Sequence, residues 1–423
     1  MINEKEYKLR RNKVASKLKN NSVMVLFSAK EKVRSNDTEY PYRQNSNFYY
    51  LCGFKEDNSS LIIIKNKTKV KTYLFVQKKD EALELWHGKR VGKKMAKELF
   101  DVNNVFIMDK FDTKIREFIS KSKSIYFDFS MQDERVYKLR ELGNKLYEHI
   151  NIAPVIGALR LIKSDDEIKL IKKALSITKE AHQHAIKNAK NLEFEYELQA
   201  EIEYIFKKNG AYNDAYTSII ACGNSANTLH YISNDKKLID KKLILIDAGC
   251  EYDYYASDIT RTIPVKQKFT KAQSELYSMI LEVEENIIEM VREGQFRSNL
   301  QKRSEELLCE GLIRLGILKG NVKKLLKDKA HKKYYPHGIG HWMGLDVHDE
   351  APYRYKNKKE IPLLSGMVMT IEPAIYIDED DNLVPKKFRG IGIRIEDDIL
   401  VTRNGYENLS VDIIKSIKDI ENI

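Results

Sequence analysis

Pro336-His337-Gly338-Ile339-Gly340-His341-Trp342-Met343-Gly344-Leu345-Asp346-Val347-His348 gathers three of the chain's nine histidines into one glycine-punctuated segment. Two acids follow it in settings built for apolar residues: Glu372 in GMVMTIEPAIYI (366–377) and Glu396 in GIGIRIEDDILV (390–401). Upstream, Asp247 ends the apolar run of LILIDAGC, and Asp258 sits in YASDITRT. A carboxylate buried without a partner costs several kcal/mol or gives up its charge. Four such acids beside a histidine cluster are accounted for if cations hold them together. The chain reads as a metalloenzyme.

Working outward, the segments that carry these residues repeat a scheme. Ser164-Asp165-Asp166-Glu167 is a capping box ahead of an amphipathic helix to about Ala189. A second helix, about Phe194–Asn209, stops at Gly210, and strand-like segments run from Ser218 to Val265. Then Thr270-x-x-Gln273 starts a helix ending at Gly294, Ser298-x-x-Gln301 starts another ending near Gly316, and strands fill the rest. Two rounds of paired helices followed by strands predict a duplicated α+β domain. Its first half supplies Asp247 and Asp258, its second His341, Glu372 and Glu396, so a site at the junction of the halves is expected. The first third alternates short β-branched or aromatic runs (VMVLF, NFYYLCGF, SLIIIK, KTYLFV, SIYFDF) with helical patterns around Asp80–Leu85 and Asp133–His149. This predicts a smaller α/β domain over residues 1–155, linked through NIAPVIGALRLIK to the larger domain at 156–423.

A chain of 423 residues exceeds one ordinary core, in keeping with two domains. The net charge of +11 comes from lysines scattered along the whole length. No basic run is interleaved with aromatics or glycine-rich RNA-binding patterns, so a solvated surface is expected rather than a nucleic-acid partner. The four cysteines are widely spaced with no C-x-x-C pair, which points to free thiols in a reducing compartment. The short apolar run Val23–Phe27 is too brief for a signal peptide, and no segment reaches the roughly 20 apolar residues of a membrane span. A cytoplasmic protein without a membrane partner is expected.

Each site residue also has a structural alternative. Asp-Ala-Gly after an apolar run is a common strand-to-turn signal. Asp258, eleven positions on, suits a second strand joined to the first by a tight connection, with Thr260 and Thr262 alternating against Ile259 and Ile263. His337 and His341 are four apart, yet Gly338 and Gly340 oppose a helix, and the helical zinc-protease motif needs Glu directly after its first His. Pro373 fixes the backbone after Glu372 and interrupts any ladder there. Period-2 alternation puts Arg394 and Glu396 on one face, where a structural ion pair is the alternative. Charge bookkeeping decides between the readings: two divalent ions balance four carboxylates that would otherwise raise one another's pKa values. Oxygen-rich ligation with one imidazole suits Mn2+, with Zn2+, Co2+ or Fe2+ as substitutes. Two such ions about 3.5 Å apart can share a hydroxide and polarise a carbonyl together.

Asp247, Asp258, His341, Glu372 and Glu396 match, in order and context, the five-ligand set of the pita-bread metallopeptidases. YPYRQNSNFYYLCGF (40–54), ELWHGKRVG (84–92), GCEYDYYASDITRT (249–262), LGILKG (315–320) and GHWMGLDVHD (340–349) resemble the bacterial aminopeptidase P (Xaa-Pro aminopeptidase) group, a likeness running from about residue 5 to 415. The resemblance implies a C-terminal pita-bread catalytic domain preceded by a creatinase-like N-terminal domain. It implies release of the N-terminal residue from peptides with proline second, by a hydroxide bridging two metal ions. Asp247 would chelate one ion, Asp258 and Glu396 would bridge both, and His341 and Glu372 would bind the other. Glu372 would also shuttle a proton to the leaving nitrogen, with His230 and His348 at the scissile carbonyl and the oxyanion. His337, Arg394 and Tyr376 would line the proline side. Trp86 and Asp37 resemble residues that reach the site from the N-terminal domain, often of a neighbouring subunit, and a homodimer or homotetramer is implied. The departures are Ala374 and Ser257 where the family has Gly, and Lys359 where relatives can carry Arg. An Xaa-Pro dipeptidase on the same fold is the rival, disfavoured by Trp342 and by the YRQNSNFYY and LWHGKR motifs. A methionine aminopeptidase is opposed by the sizeable N-terminal domain, and a creatinase-type hydrolase by the retained ligands. A catalytically silent interaction module is opposed by the complete ligand set with His230 and His348.

Overall fold

Ser22-Val-Met-Val-Leu-Phe27 is a fully buried strand near the middle of a six-stranded mixed sheet. Strands Ser60–Asn66 and Lys69–Val76 extend the sheet antiparallel on one side, with Asn104–Ile107 added in parallel at that edge. Ser124–Phe127 and Glu148–Asn151 continue it in parallel on the other. Val23, Val25 and Phe27 alternate toward one face, where Ile115, Phe118 and Ile119 of the helix Phe111–Ile119 pack with Val136 and Leu139. The computed structural model describes residues 2–67, 69–142 and 146–423, and the chain divides into two compact units, Met1–Leu159 and Arg160–Ile423.

Two expectations for the first unit are corrected. NFYYLCGF is not a strand: Ser46–Cys52 is a helix, capped where Asn45 accepts from the Phe48 amide at 2.9 Å and ended by Gly53 in the left-handed region (φ 66°). Every residue of that helix is buried, so an apolar run carries no period to separate helix from strand. The helical pattern Asp133–His149 is a helix only over Glu134–Glu141, and Glu148 and His149 belong to a strand; residues 143–145 lie outside the described ones.

The second unit shows its scheme twice. Helices Asp165–Asn188 and Glu195–Lys208 lead into strands Ile219–Cys222, Leu243–Asp247 and Thr260–Pro264, antiparallel with Leu243–Asp247 central. Helices Lys271–Ile288 and Arg297–Arg314 lead into Val368–Ile371, Asp397–Thr402 and Gly405–Asn408, with Ala374–Ile377 and Ile391–Arg394 as a second antiparallel pair. The capping boxes Ser164/Glu167 and Thr270/Gln273 are both formed. The fourth helix start is corrected: Arg297–Arg314 begins one residue before Ser298 without a side-chain cap, because the Ser298 hydroxyl and amide go to Glu360. One apolar core, from Ile177 and Phe206 through Ile246 and Met279 to Ile375 and Ile395, runs through both halves. All four cysteines are buried free thiols. Among the described residues no helix is long and apolar enough to cross a membrane.

Candidate metal centre and active-site cleft

Asp247 is the last residue of the central strand of the first half and pairs in register with Thr260. Between them the chain makes a short excursion through Cys250–Tyr252 and Tyr255–Ala256, a hairpin rather than the expected simple tight connection. The excursion closes tightly: a Cβ on Gly249 would lie 1.9 Å from the Ser257 carbonyl oxygen. Ser257, where the family pattern has glycine, uses its hydroxyl within this turn, 2.8 Å from Thr178 Oγ1 and donating to the Cys250 carbonyl at 3.0 Å. Asp258 leaves the turn with its amide donating to Asp398 Oδ2 at 3.0 Å.

The histidine segment has neither helix nor strand over 336–348 apart from an isolated bridge at Trp342. It lies directly on Val368–Ile371, with the Thr370 amide donating to the His341 carbonyl at 3.0 Å and the Glu372 amide to the Ile339 carbonyl at 2.8 Å. Glycine makes that approach possible, since a Cβ on Gly340 would sit 1.9 Å from the Thr370 carbonyl oxygen. Glu372-Pro373 separates Val368–Ile371 from Ala374–Ile377, the ladder break that proline demands. Arg394 ends the strand facing Ala374, and Glu396 follows two residues on.

These elements converge on one cleft of about 510 Å³ whose lining includes Asp247, Asp258, His341, Glu372 and Glu396 together with His230, His337, His348, Tyr376 and Arg394. Ligand atoms of Asp258, His341 and Glu396 all lie within 4.8 Å of one another. His341 Nε2 is 3.3 Å from Asp258 Oδ2 and 3.8 Å from Glu372 Oε1, while its Nδ1 is 3.1 Å from the Trp342 carbonyl. A proton on Nδ1 donated to that carbonyl leaves Nε2 as the lone-pair nitrogen facing the acids, the tautomer a metal-ligating imidazole needs. Asp247 Oδ2 takes Arg394, and its buried Oδ1 has no protein partner among the described residues. Thr260 Oγ1 donates to Glu396 Oε2 at 2.7 Å and accepts from Arg394 Nε at 3.0 Å, so Arg394 and Glu396 do share a face. Arg394 is nonetheless paired with Asp247 rather than with Glu396.

Without cations this crowding is electrostatically costly. Burial, opposed in part by the His341 and Arg394 charges, pushes Glu372 up to about 7. Burial and then the neighbouring charges of Asp258 and Glu372 push Glu396 well above the usual carboxylate range. Burial would lower His341, but the hydrogen bond and charge of Asp258, reinforced by Glu372, carry it up to about 9. Each shift is a group trying to shed negative charge or hold positive charge, which is the environment divalent cations relieve. Four carboxylates and one imidazole with an orphaned buried oxygen fit a divalent-metal centre.

Beside the acids, His337 Nδ1 lies 3.6 Å from Glu372 Oε2 and its Nε2 3.0 Å from the Tyr376 hydroxyl, which accepts from Arg394 Nη1 at 2.8 Å. His348 and His230 are exposed to the cleft, and the His348 ring stands edge-on to His341 at 4.1 Å. Trp86 and Asp37 belong to the first unit, Trp86 81% exposed on the helix Glu81–His87 and Asp37 exposed at the turn of the hairpin Val33–Glu39. Lys359 is exposed. Sequence reading missed Tyr216, whose buried phenol faces Asp247 and Asp258, and Arg297, which lines the cleft beside Gly340. It also missed Asp398, buried under Asp258, although the acid run Glu396-Asp397-Asp398 inside a strand pattern was a visible signal.

Comparisons with known proteins agree with this geometry. Residues 169–403 match metallopeptidase family M24, and residues 7–126 match the aminopeptidase P N-terminal domain. The chain is 38% identical to an Xaa-Pro aminopeptidase of Haemophilus influenzae, covering 99% of this chain and 97% of that protein. It is 37% identical to an Xaa-Pro aminopeptidase of Escherichia coli, with the same coverage of 99% and 97%. Its fold superposes on E. coli aminopeptidase P with the inhibitor Pro-Leu at a TM-score of 0.95 and 37% identity, covering 100% of this chain and 98% of that one. A zinc-substituted form of the E. coli enzyme in complex with product matches at a TM-score of 0.95 and 36% identity, with the same coverage. With helix pairs and strands duplicated around one acid-and-histidine cleft, this chain belongs to metallopeptidase family M24, its catalytic domain preceded by an aminopeptidase P N-terminal domain.

Proposed function

We propose that this chain is a metal-dependent aminopeptidase that releases the N-terminal residue from peptides carrying proline in the second position. The observation that carries the reading is the convergence of Asp247, Asp258, His341, Glu372 and Glu396 on one cleft that also holds His230 and His348. Asp247, Asp258, His341, Glu372 and Glu396 are the residues that would hold the divalent ions. When bound, two divalent ions, with Mn2+ the proposed pair, would supply Lewis acidity and lower the pKa of water. The chain's own groups do the rest. Glu372, whose carboxyl sits near neutrality when ions are removed, takes the proton of the attacking water on its carboxylate and passes it to the proline nitrogen. His230 and His348 donate to the scissile carbonyl oxygen as negative charge develops there.

An Xaa-Pro bond is a tertiary amide with no N–H to recognise, so selection for it rests on a wall that accepts the ring. His337, Tyr376 and Arg394 form that wall, held together by the hydrogen bonds through the Tyr376 hydroxyl. Trp86 and Asp37 are proposed to complete it in a homo-oligomer from a neighbouring subunit, and the protein is proposed to work in the cytoplasm without nucleic-acid or membrane partners. The decisive assay is release of free amino acid from Xaa-Pro-Yaa, with chelator and then with added Mn2+ or Zn2+. Hydrolysis of the tripeptide, lost with chelator and restored by metal, is the expected result; cleavage of the dipeptide Xaa-Pro alone would make the chain a dipeptidase instead. Asp258→Asn should lose activity together with bound metal, whereas His348→Ala should lose at least tenfold in kcat with metal retained.

A further inference from the structure

The cleft is lined by two guanidinium groups, Arg297 and Arg394, and they differ in what they have left to offer. Arg394 has every nitrogen committed: Nε to Thr260 Oγ1, Nη1 to the Tyr376 hydroxyl and Nη2 to Asp247 Oδ2. Arg297, the first residue of the helix Arg297–Arg314, commits only Nη1, which donates to the Gly340 carbonyl at 3.0 Å. Its guanidinium lies 4.8 Å from the Tyr353 ring centroid, and Tyr353 in turn stacks on the buried Trp342 at 5.3 Å and 18°. The plane is therefore held on a rigid aromatic pair next to the residue that precedes His341. No protein group among the described residues takes Nε or Nη2, and the side chain is half-buried, so its charge is less screened than a surface lysine's.

A peptide entering an aminopeptidase brings two charges, an amine that must reach the reacting end and a carboxylate at the other. The four acids, which would hold the ions, mark the amine end. The cleft's uncommitted guanidinium is the group left to receive the carboxylate. Beyond Arg297 a second groove of about 410 Å³, which it also lines, leads past Lys302 and Arg354. The acids there are already answered, Glu360 by Ser298 and Glu305 by Lys332. Resting on the aminopeptidase reading above, we propose that Arg297 reads the free C-terminal carboxylate of short substrates, making the chain favour Xaa-Pro-Yaa tripeptides over the same peptides with a blocked carboxylate.

The test compares kcat/KM for an Xaa-Pro-Yaa tripeptide and its C-terminal amide, in the metal-loaded full chain, for the native protein, Arg297→Gln and Arg297→Lys. A charge-assisted hydrogen bond at a half-buried site predicts an acid-over-amide preference of about tenfold, carried by KM. Arg297→Gln should collapse that ratio to about one, and Arg297→Lys should restore part of it. Should Arg297→Gln fold poorly, the native protein alone decides: its acid-over-amide ratio should shrink as salt rises toward 1 M. Equal KM for acid and amide in the native protein overturns the proposal while leaving the aminopeptidase reading standing. So does an equal loss on both peptides in Arg297→Gln, which marks a role in shaping the Gly340 segment. Hydrolysis of neither peptide by the native protein removes the aminopeptidase reading and this proposal with it.

Discussion

Glu372 concentrates the electrostatics of the site in one side chain. Burial raises its carboxyl from the usual 4.5 to about 7, with His341 and Arg394 pulling it down and Asp258 and Asp247 pushing it up. A folded pKa above the unfolded value means that the protonated form is the one folding favours. Its stabilising contribution is full below about pH 4.5 and is lost as pH rises through 7, on the order of 3 kcal/mol by the size of the shift. Bound cations reverse the preference by holding the carboxylate deprotonated. The gap in Tm between metal-loaded and chelator-treated protein should therefore widen from pH 5.5 to pH 7.5. A gap that stays constant across that window would mean that the acids do not depend on cations to coexist. The four acids Asp247, Asp258, Glu372 and Glu396 were legible because acids in apolar runs violate local patterning, and that violation is visible residue by residue. Tyr216 and Arg297 violate nothing in their own segments and acquire meaning only from what folding places opposite them.

Elements position what residues alone cannot, and the turn that carries His348 shows how. His348 is exposed, and its edge-on contact with the His341 ring does not by itself fix it. The next residue, Asp349, is buried and accepts from both Arg160 and Lys163, the latter at 3.1 Å, while its amide donates to the Trp342 carbonyl at 2.8 Å. Burial alone would raise the Asp349 carboxyl, but the two cations hold it below the usual range, so it stays ionised. Asp349→Ala takes the acidic partner from buried Lys163 and leaves Arg160 with Asp346, and should cost about 3 kcal/mol in denaturant unfolding. Asp349→Asn keeps the backbone bond to Trp342 but loses the charge that anchors the turn to Arg160 and Lys163, and should retain metal while kcat falls about tenfold or more, because the turn that carries His348 is held less firmly. Loss of metal in Asp349→Asn in proportion to activity would count against a positioning role. Elements with a strong local code were readable, such as the helices opened by Ser164/Glu167 and Thr270/Gln273. Ser46–Cys52 was not, because an element buried on all sides has no polar face to reveal its period. Ser298 looked like a cap and is not one, because Glu360, distant in sequence, competes for its hydroxyl.

At the scale of the whole catalytic unit, the site exists only where the two halves meet, and one buried residue ties them there. The duplication could be read from two recurring helix pairs, and with it the expectation that acids from both halves share a site. What the sequence pattern could not convey is the joint itself. Arg261, on the strand Thr260–Pro264 of the first half, is fully buried. Its Nη1 donates to the carbonyls of Thr260 at 3.0 Å and Glu396 at 2.7 Å, and its Nη2 pairs with Asp397 at 2.7 Å. Nε and Nη2 also reach the carbonyls of Ile414 and Ile413. The guanidinium thus fastens the backbone beside Asp258 to the backbone of Glu396, and Lys415 supplies the second cation that keeps Asp397 ionised. A lysine here can still face Asp397 but cannot span both carbonyls with a planar fork. Arg261→Ala should lose about 3–5 kcal/mol, since it leaves Asp397 short of a buried partner and several carbonyls without donors. Arg261→Lys should fold with a smaller loss yet bind metal at least tenfold more weakly, because Asp258 and Glu396 are no longer held at a fixed separation. Calorimetric metal titration of Arg261→Lys against the native protein checks this directly. Native metal affinity in a variant whose stability has dropped would show that the joint holds the fold together without setting the geometry of the site.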